Sequence, residues 1–168
     1  MNIELNFWKR QSGKTRYIVL KAKKGDAIVC SNINEMRLLL TNRFISSNVK
    51  VVSVRNANIL EKFVGRSFQN NTIWLDEFDS WGIDDQNRVL HILNKIQFKK
   101  AIGISSPVCS VKVRKDLGKS YWQLALKKNL QVDLKFFLDK IISPYVSDLF
   151  LNATKINVKK DAFENLNL

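Results

Sequence analysis

Two short segments carry residues whose types and spacing could handle a phosphorylated ligand. The first is Arg10-Gln11-Ser12-Gly13-Lys14-Thr15. At the entry to a helix, such a turn aims backbone N–H groups at one point, and the helix dipole favours an anion there. Gly13 lets the backbone approach that anion closely. The Lys14 ammonium can reach β- and γ-phosphates, and the Thr15 hydroxyl can ligate Mg²⁺. Gln11, Ser12, Gly13, Lys14, Thr15 and Arg16 are therefore the candidate nucleotide-binding residues. The full pattern G-x-x-x-x-G-K-[ST] is not met, because Trp8 stands where its first glycine belongs. A bare Gly-Lys-Thr also arises as an incidental basic turn.

The second segment is Ile73-Trp74-Leu75-Asp76-Glu77, an apolar run closed by paired carboxylates. A buried strand ending this way needs compensation, and Mg²⁺ would supply it. In such a site the first acid holds the metal and its water shell, and the second polarises the attacking water. Asp76 joins Thr15 as a candidate metal ligand. Glu77 is the candidate catalytic base, with Lys14 as the catalytic cation on the phosphates. The other reading is a strand end with solvated acids. A third run, Ile102-Gly103-Ile104-Ser105-Ser106-Pro107, ends in hydroxyls. Ser105 and Ser106 are candidate γ-phosphate sensors, or simply a Ser-Pro turn. Asp84 and Asp85 suit a first helical turn and need no catalytic role. His91 falls on an exposed helix flank.

The elements that must position these residues follow from periodicity. Ile3 to Trp8 reads as a strand, Lys14 to Lys24 as a helix, and Asp26 to Ser31 as a buried strand. Asn32 to Phe44 is a helix with Asn32 as its cap. Val49 to Val54 is a strand and Ala57 to Val64 a short helix. Thr72 to Leu75 is the strand ending in Asp76, Asp84 to Ile96 a helix, and Ala101 to Ser105 a strand. Beyond Pro107, Ser120 to Leu130 reads as helix, while Val132 to Phe137 fits strand or helix start. The near-continuous apolar strands predict an α/β fold: a mostly parallel central sheet with helices on both faces. The expected division is a core over 1–110, an extension of helical or mixed character over 111–155 packed on it, and a loose polar tail over 156–168.

Charge narrows the partners. The chain of 168 residues has 28 Lys and Arg against 15 Asp and Glu, a net +13. Such a balance favours a polyanion, nucleic acid above all. Basic residues concentrate near the first loop and again at Lys112, Arg114, Lys115, Lys119, Lys127 and Lys128, the candidate nucleic-acid contacts. Tyr121 and Trp122 could stack on bases, though their spacing fits core packing. Cys30 and Cys109 stand in no metal-ligand spacing, which argues against zinc. No leader pattern and no apolar run near the roughly 20 residues of a bilayer span is present. The expectation is a reduced, cytoplasmic protein that does not engage a membrane.

Arg-Gln-Ser-Gly-Lys-Thr resembles the deviant phosphate loop of large terminases, the DNA-packaging ATPases of tailed phages. Val64-Gly65-Arg66-Ser67-Phe68 and the following Ile73–Glu77 run look like that family's approach to its acidic strand. Ile104-Ser105-Ser106-Pro107 stands where the family has its coupling motif, and Ala27 to Asn32 resembles its second strand. The resemblance covers roughly residues 3–107. It implies an additional-strand P-loop NTPase core, ATP hydrolysis with Mg²⁺, coupling to double-stranded DNA and assembly as a homo-oligomeric ring or with other motor proteins. It also implies that Arg10 contacts the phosphates in cis, and, for a viral protein, the host cytoplasm. Only the first strand precedes the loop, where the family has an upstream adenine-contacting segment, and the carboxylates beyond Pro107 are too dispersed for the family's nuclease domain. The expectation is a minimal ATPase-only form. The alternatives are a non-catalytic or partner-activated nucleic-acid-binding protein on the same scaffold, and a helicase-like single domain.

Overall fold

Five apolar runs and one polar run line up in a single sheet. A computed structural model describes residues 1–42, 48–63, 70–106, 147–159 and 162. The strands are β1 (Ile3–Phe7), β2 (Ala27–Cys30), β3 (Lys50–Ser53), β4 (Thr72–Asp76), β5 (Lys100–Ser105) and β6 (Lys155–Val158). Their order across the sheet is β3-β2-β4-β5-β1-β6, and every pairing is parallel. Parallel neighbours cannot be joined by tight hairpins, so the connections must cross a face of the sheet. These crossovers carry the helices that bury both faces.

Alternate strand residues point to opposite faces, and the apolar residues sort accordingly. Ile3, Leu5, Phe7, Val29, Ile73, Leu75 and Ala101 pack with Val89, Ile92 and Leu93 of α3 (Ile83–Lys95). Ile28, Cys30, Trp74 and Ile104 pack on the other face with Ile18 and Val19 of α1 (Lys14–Lys21) and Met36 and Leu40 of α2 (Ile33–Thr41). The α/β expectation with a parallel sheet and helices on both faces therefore holds for the described residues.

The helix ends have local causes. Asn32 caps α2, its side chain accepting the Glu35 N–H at 3.1 Å. Helix α1 stops at Lys21 rather than Lys24, because Ala22 turns extended and the Lys23 N–H is taken by the Asp26 carboxylate at 2.9 Å. The helix expected over Ala57 to Val64 is instead a 3-10 helix, Val54–Phe63, kinked at Asn56. Ala57 and Leu60 are its buried anchors, at the three-residue spacing of that tighter helix.

Residues 156–158, expected as the start of a loose polar tail, belong to a strand instead. Lys155–Val158 pairs with β1, from Glu4↔Lys155 to Phe7↔Val158. An edge strand needs little apolar surface, and its polar side chains find partners here: the Asn157 amide donates to Asn6 Oδ1 at 2.8 Å and Glu4 Oε1 at 3.0 Å. A short helix α4 (Asp148–Leu151) precedes it, with Leu149 and Phe150 buried against the α3 side. The Ser147 hydroxyl donates to Gln86 of α3 at 2.6 Å. Ser120 to Leu130, Val132 to Phe137, Pro107 and the Val64–Phe68 segment lie outside the described residues.

Candidate functional site at the carboxyl ends of β1, β4 and β5

In open parallel sheets, ligands sit beyond the carboxyl ends of the strands. Strand β5 lies between β1 and β4, with Phe7↔Ser105 and Asp76↔Ile104 in register. This brings the turn after β1 and the acids after β4 to one level. The β1 turn passes through left-handed Gln11 (φ 57) and Gly13 (φ 75) before entering α1. Gly13 caps α1 with no side-chain hydrogen bond, so the first-turn amides of α1 have no intrahelical acceptor and face the loop.

Lys14 is the buried cation of the site, 4 % exposed. Its Nζ donates to the Lys9 carbonyl at 3.1 Å and pairs with Glu77 Oε1 at 3.1 Å. Thr15 Oγ1 lies 3.1 Å from each oxygen of Asp76. Burial pushes the Asp76 carboxyl up to about 7, with the Glu77 charge adding to the rise and Thr15 and Lys14 opposing it. A carboxylate held this way gains from a cation brought beside it.

Glu77 is held in an unusual backbone conformation, φ 54 and ψ 40. A non-glycine residue there costs about 1–3 kcal/mol and persists only where its surroundings enforce it. The enforcement is visible. The Glu77 N–H donates to the Ile104 carbonyl at 2.9 Å, and the next residue, Phe78, seats directly on Gly103. A Cβ at Gly103 would lie 2.7 Å from both Phe78 Cδ1 and Leu5 Cδ2. Phe78 also meets Phe7 edge-on at 5.4 Å. The strained turn aims the Glu77 carboxylate back over β5. There Oε2 accepts the Ser106 N–H at 3.1 Å and the Ser105 hydroxyl at 3.2 Å. Ser105 in turn accepts the Asp79 N–H at 3.1 Å.

Thr15 with Asp76, and Lys14 with Glu77, Ser105 and Ser106, thus form two adjacent bonded groups at one end of the sheet. Arg10, Gln11, Ser12 and Arg16 are exposed on the loop and first turn around them. Lys112, Arg114, Lys115, Lys119, Lys127 and Lys128 lie outside the described residues. His91 is exposed on α3. Cys30, beside these groups on β2, is buried with its thiol pushed up to about 12, chiefly by burial and further by Asp76. It is no nucleophile at neutral pH.

The chain matches no family model, no curated protein and no solved structure. Among the described residues no group of three or more His, Cys, Asp or Glu side chains converges as a metal cage. Mg²⁺ at a phosphate site needs none, because one or two protein oxygens suffice beside phosphate and water. The Thr15 hydroxyl and the Asp76 carboxylate are a donor set of that kind. No helix among the described residues is long and apolar enough to cross a membrane.

Sequence reasoning did not identify the aromatic cluster next to the loop. Trp8 and Tyr17 meet edge-to-face at 4.9 Å, and Lys159 Nζ sits 3.6 Å from the Trp8 ring centroid. A bulky aromatic in place of the first loop glycine was the available signal. Lys159 had none, since only the pairing of β6 with β1 brings it there.

Proposed function

We propose that the chain is a Mg²⁺-dependent ATPase acting on nucleic acid, as a DNA-packaging motor subunit of the large-terminase kind. The observation that carries this reading is the double pairing of Lys14 with Glu77 and Thr15 with Asp76 at a helix N-terminus. Residues about sixty positions apart in sequence meet as cation, hydroxyl, metal-type carboxylate and base-type carboxylate. The strand order supports the P-loop assignment, because β5 stands where an additional-strand core inserts its extra strand, between loop strand and acidic strand.

In this reading the α1 amides and Lys14 bind the phosphates, and Thr15 with Asp76 holds Mg²⁺. The bound ion would neutralise charge on the phosphate oxygens. Glu77 orients and polarises water. Ser105 and Ser106 report on the site through their hydrogen bonds to Glu77. The net charge of +13 supports a nucleic-acid partner. Double-stranded DNA, the ring and the role of Arg10 rest on the terminase resemblance.

One observation favours a partner-activated form. Both Glu77 oxygens are engaged, Oε1 by Lys14 and Oε2 by Ser105 and Ser106. The base must exchange these contacts before it can serve a water, and DNA or a neighbouring subunit could drive that exchange.

The test is ATP hydrolysis with Mg²⁺, with and without double-stranded DNA, beside Glu77→Gln. The expected result is turnover that DNA stimulates and that falls at least about 100-fold in the variant while ATP binding is retained. Binding without turnover in every condition would overturn the self-sufficient enzyme. Absence of ATP binding would overturn the nucleotide site itself.

A further inference from the structure

We infer that Trp8 and Tyr17 form the seat for the nucleotide's base, an inference that rests on the phosphate-site reading above. The two rings flank the loop in sequence: Trp8 directly precedes it, and Tyr17 lies two residues past Thr15 on the first turns of α1. They meet at 4.9 Å with 66° between ring planes. Both are only half-buried, packing on the α1–α2 side of the sheet through part of their surface. In this inference a ligand whose phosphates lie at the start of α1 places its base on this pair.

The Trp8 backbone is fixed in place. Its N–H donates to the Ser105 carbonyl at 2.9 Å, which ties it to β5 and the acidic turn. On its other side the Lys159 N–H donates to the Phe7 carbonyl at 3.0 Å. That bond sets the Lys159 backbone beside Trp8, and the Lys159 Nζ lies 3.6 Å from the indole centroid. An ammonium so placed occupies an electron-rich π face from the solvent side. A purine base and the Lys159 ammonium compete for that face, and Lys159 can swing aside because it is exposed. One face of the half-buried indole is thus covered by an exposed cation, whereas in a core ring apolar side chains would close it.

Recognition by stacking tolerates different bases, since each has a π face. Adenine and guanine nucleotides are therefore expected to bind with similar affinity.

The experiment is titration calorimetry of the Mg²⁺ complexes of ATP and of inorganic tripolyphosphate, on the full chain and its Trp8→Leu and Trp8→Phe variants. Trp8→Leu is expected to weaken ATP about 5- to 100-fold and tripolyphosphate less than about twofold. Trp8→Phe retains a stacking ring and should keep ATP within about threefold of wild type. Circular dichroism and thermal melts establish that each variant is folded; if Trp8→Leu is not, Trp8→Phe against Tyr17→Leu carries the same comparison. Equal losses for both ligands, or none for either, would overturn the base seat and leave the phosphate site standing. Failure of both ligands to bind the wild type would overturn the phosphate site as well.

Discussion

Asp26 and Asp76 are buried to nearly the same degree, 4 % and 8 % exposed, at opposite ends of the same parallel sheet. Their surroundings differ. Asp26, just before β2, accepts the Lys23 N–H at 2.9 Å, the Thr72 N–H at 2.9 Å and the Trp74 indole N–H at 3.1 Å, with the Asn71 amide at 3.4 Å. Those donors tie the loop after α1 to the start of β4. Asp76, at the other end of β4, has the Thr15 hydroxyl shared between its oxygens. Trp74 is common to both ends: its indole serves Asp26, and the chain reaches Asp76 two residues later. A structural carboxylate is saturated by N–H donors from its own fold. Among the described residues the carboxylate at the candidate site has fewer donors, and a cation would complete it.

The largest expected effect tests the saturated end. In Asp26→Asn the amide NH₂ must face N–H groups that now have an acceptor. At least one buried donor is left unpaired, and the charge on the others is lost. The expected cost is about 3 kcal/mol or more, read as a lower urea midpoint with an unchanged slope. Nucleotide affinity at temperatures where the variant is folded should stay near wild type, because Asp26 lies at the amino end of the sheet. A loss of stability under about 1 kcal/mol would break the contrast.

Asp76→Asn should act with the opposite sign. Burial raises the Asp76 carboxyl from its ordinary 3.8 to about 7 in the folded chain. The folded state therefore holds a proton that the unfolded state has released. Below pH 3.8 both states are protonated and Asp76 contributes nothing. Stability on its account falls as pH rises from 3.8 to about 7, then stays low. Asparagine removes that penalty. In EDTA, Asp76→Asn is expected to stabilise the protein at pH 8 by on the order of 2–4 kcal/mol and to change little at pH 4. With Mg²⁺ and ATP the sign should reverse, since the variant loses the ligand's contribution to stability. Destabilisation at pH 8 in EDTA would show that Asp76 is structural after all.

The two ends were unequally legible in the sequence. The apolar runs of β1 to β5, the Asn32 cap and the periodicity of α3 are local signals, and the strands and helices follow them closely. The candidate site was legible through residue order: Gly13-Lys14-Thr15 after one strand and Asp76-Glu77 at the end of another need only a parallel sheet to meet. The saturated end was not. Asp26 looks like a helix stop, and its donors Thr72 and Trp74 lie more than forty residues away. Strand β6 was hidden because an edge strand of Lys, Ile, Asn and Val shares its composition with a solvated tail. The left-handed turn at Glu77 was hidden too, because it is imposed by Phe78 seating on Gly103 rather than by any turn-forming residue.

The smallest expected effect isolates the one donor Asp76 has among the described residues. Thr15→Val keeps the shape of the side chain and removes the hydroxyl that lies 3.1 Å from both Asp76 oxygens. That hydrogen bond holds the Asp76 carboxyl lower than burial alone would set it. Without it the carboxyl rises further, and the folded state loses stability only where Asp76 is ionised. The expected cost is about 1 kcal/mol at pH 8 and close to nothing at pH 4, measured by urea titration in EDTA. The pH dependence separates this bond from a packing effect, because a misfitted methyl group would cost the same at both pH values. In an Asp76→Asn background the cost of Thr15→Val should shrink at pH 8, since the hydroxyl then serves a neutral amide. An undiminished cost there would mean that Thr15 stabilises α1 and not the carboxylate, and the two ends of β4 would differ less than their hydrogen bonds indicate.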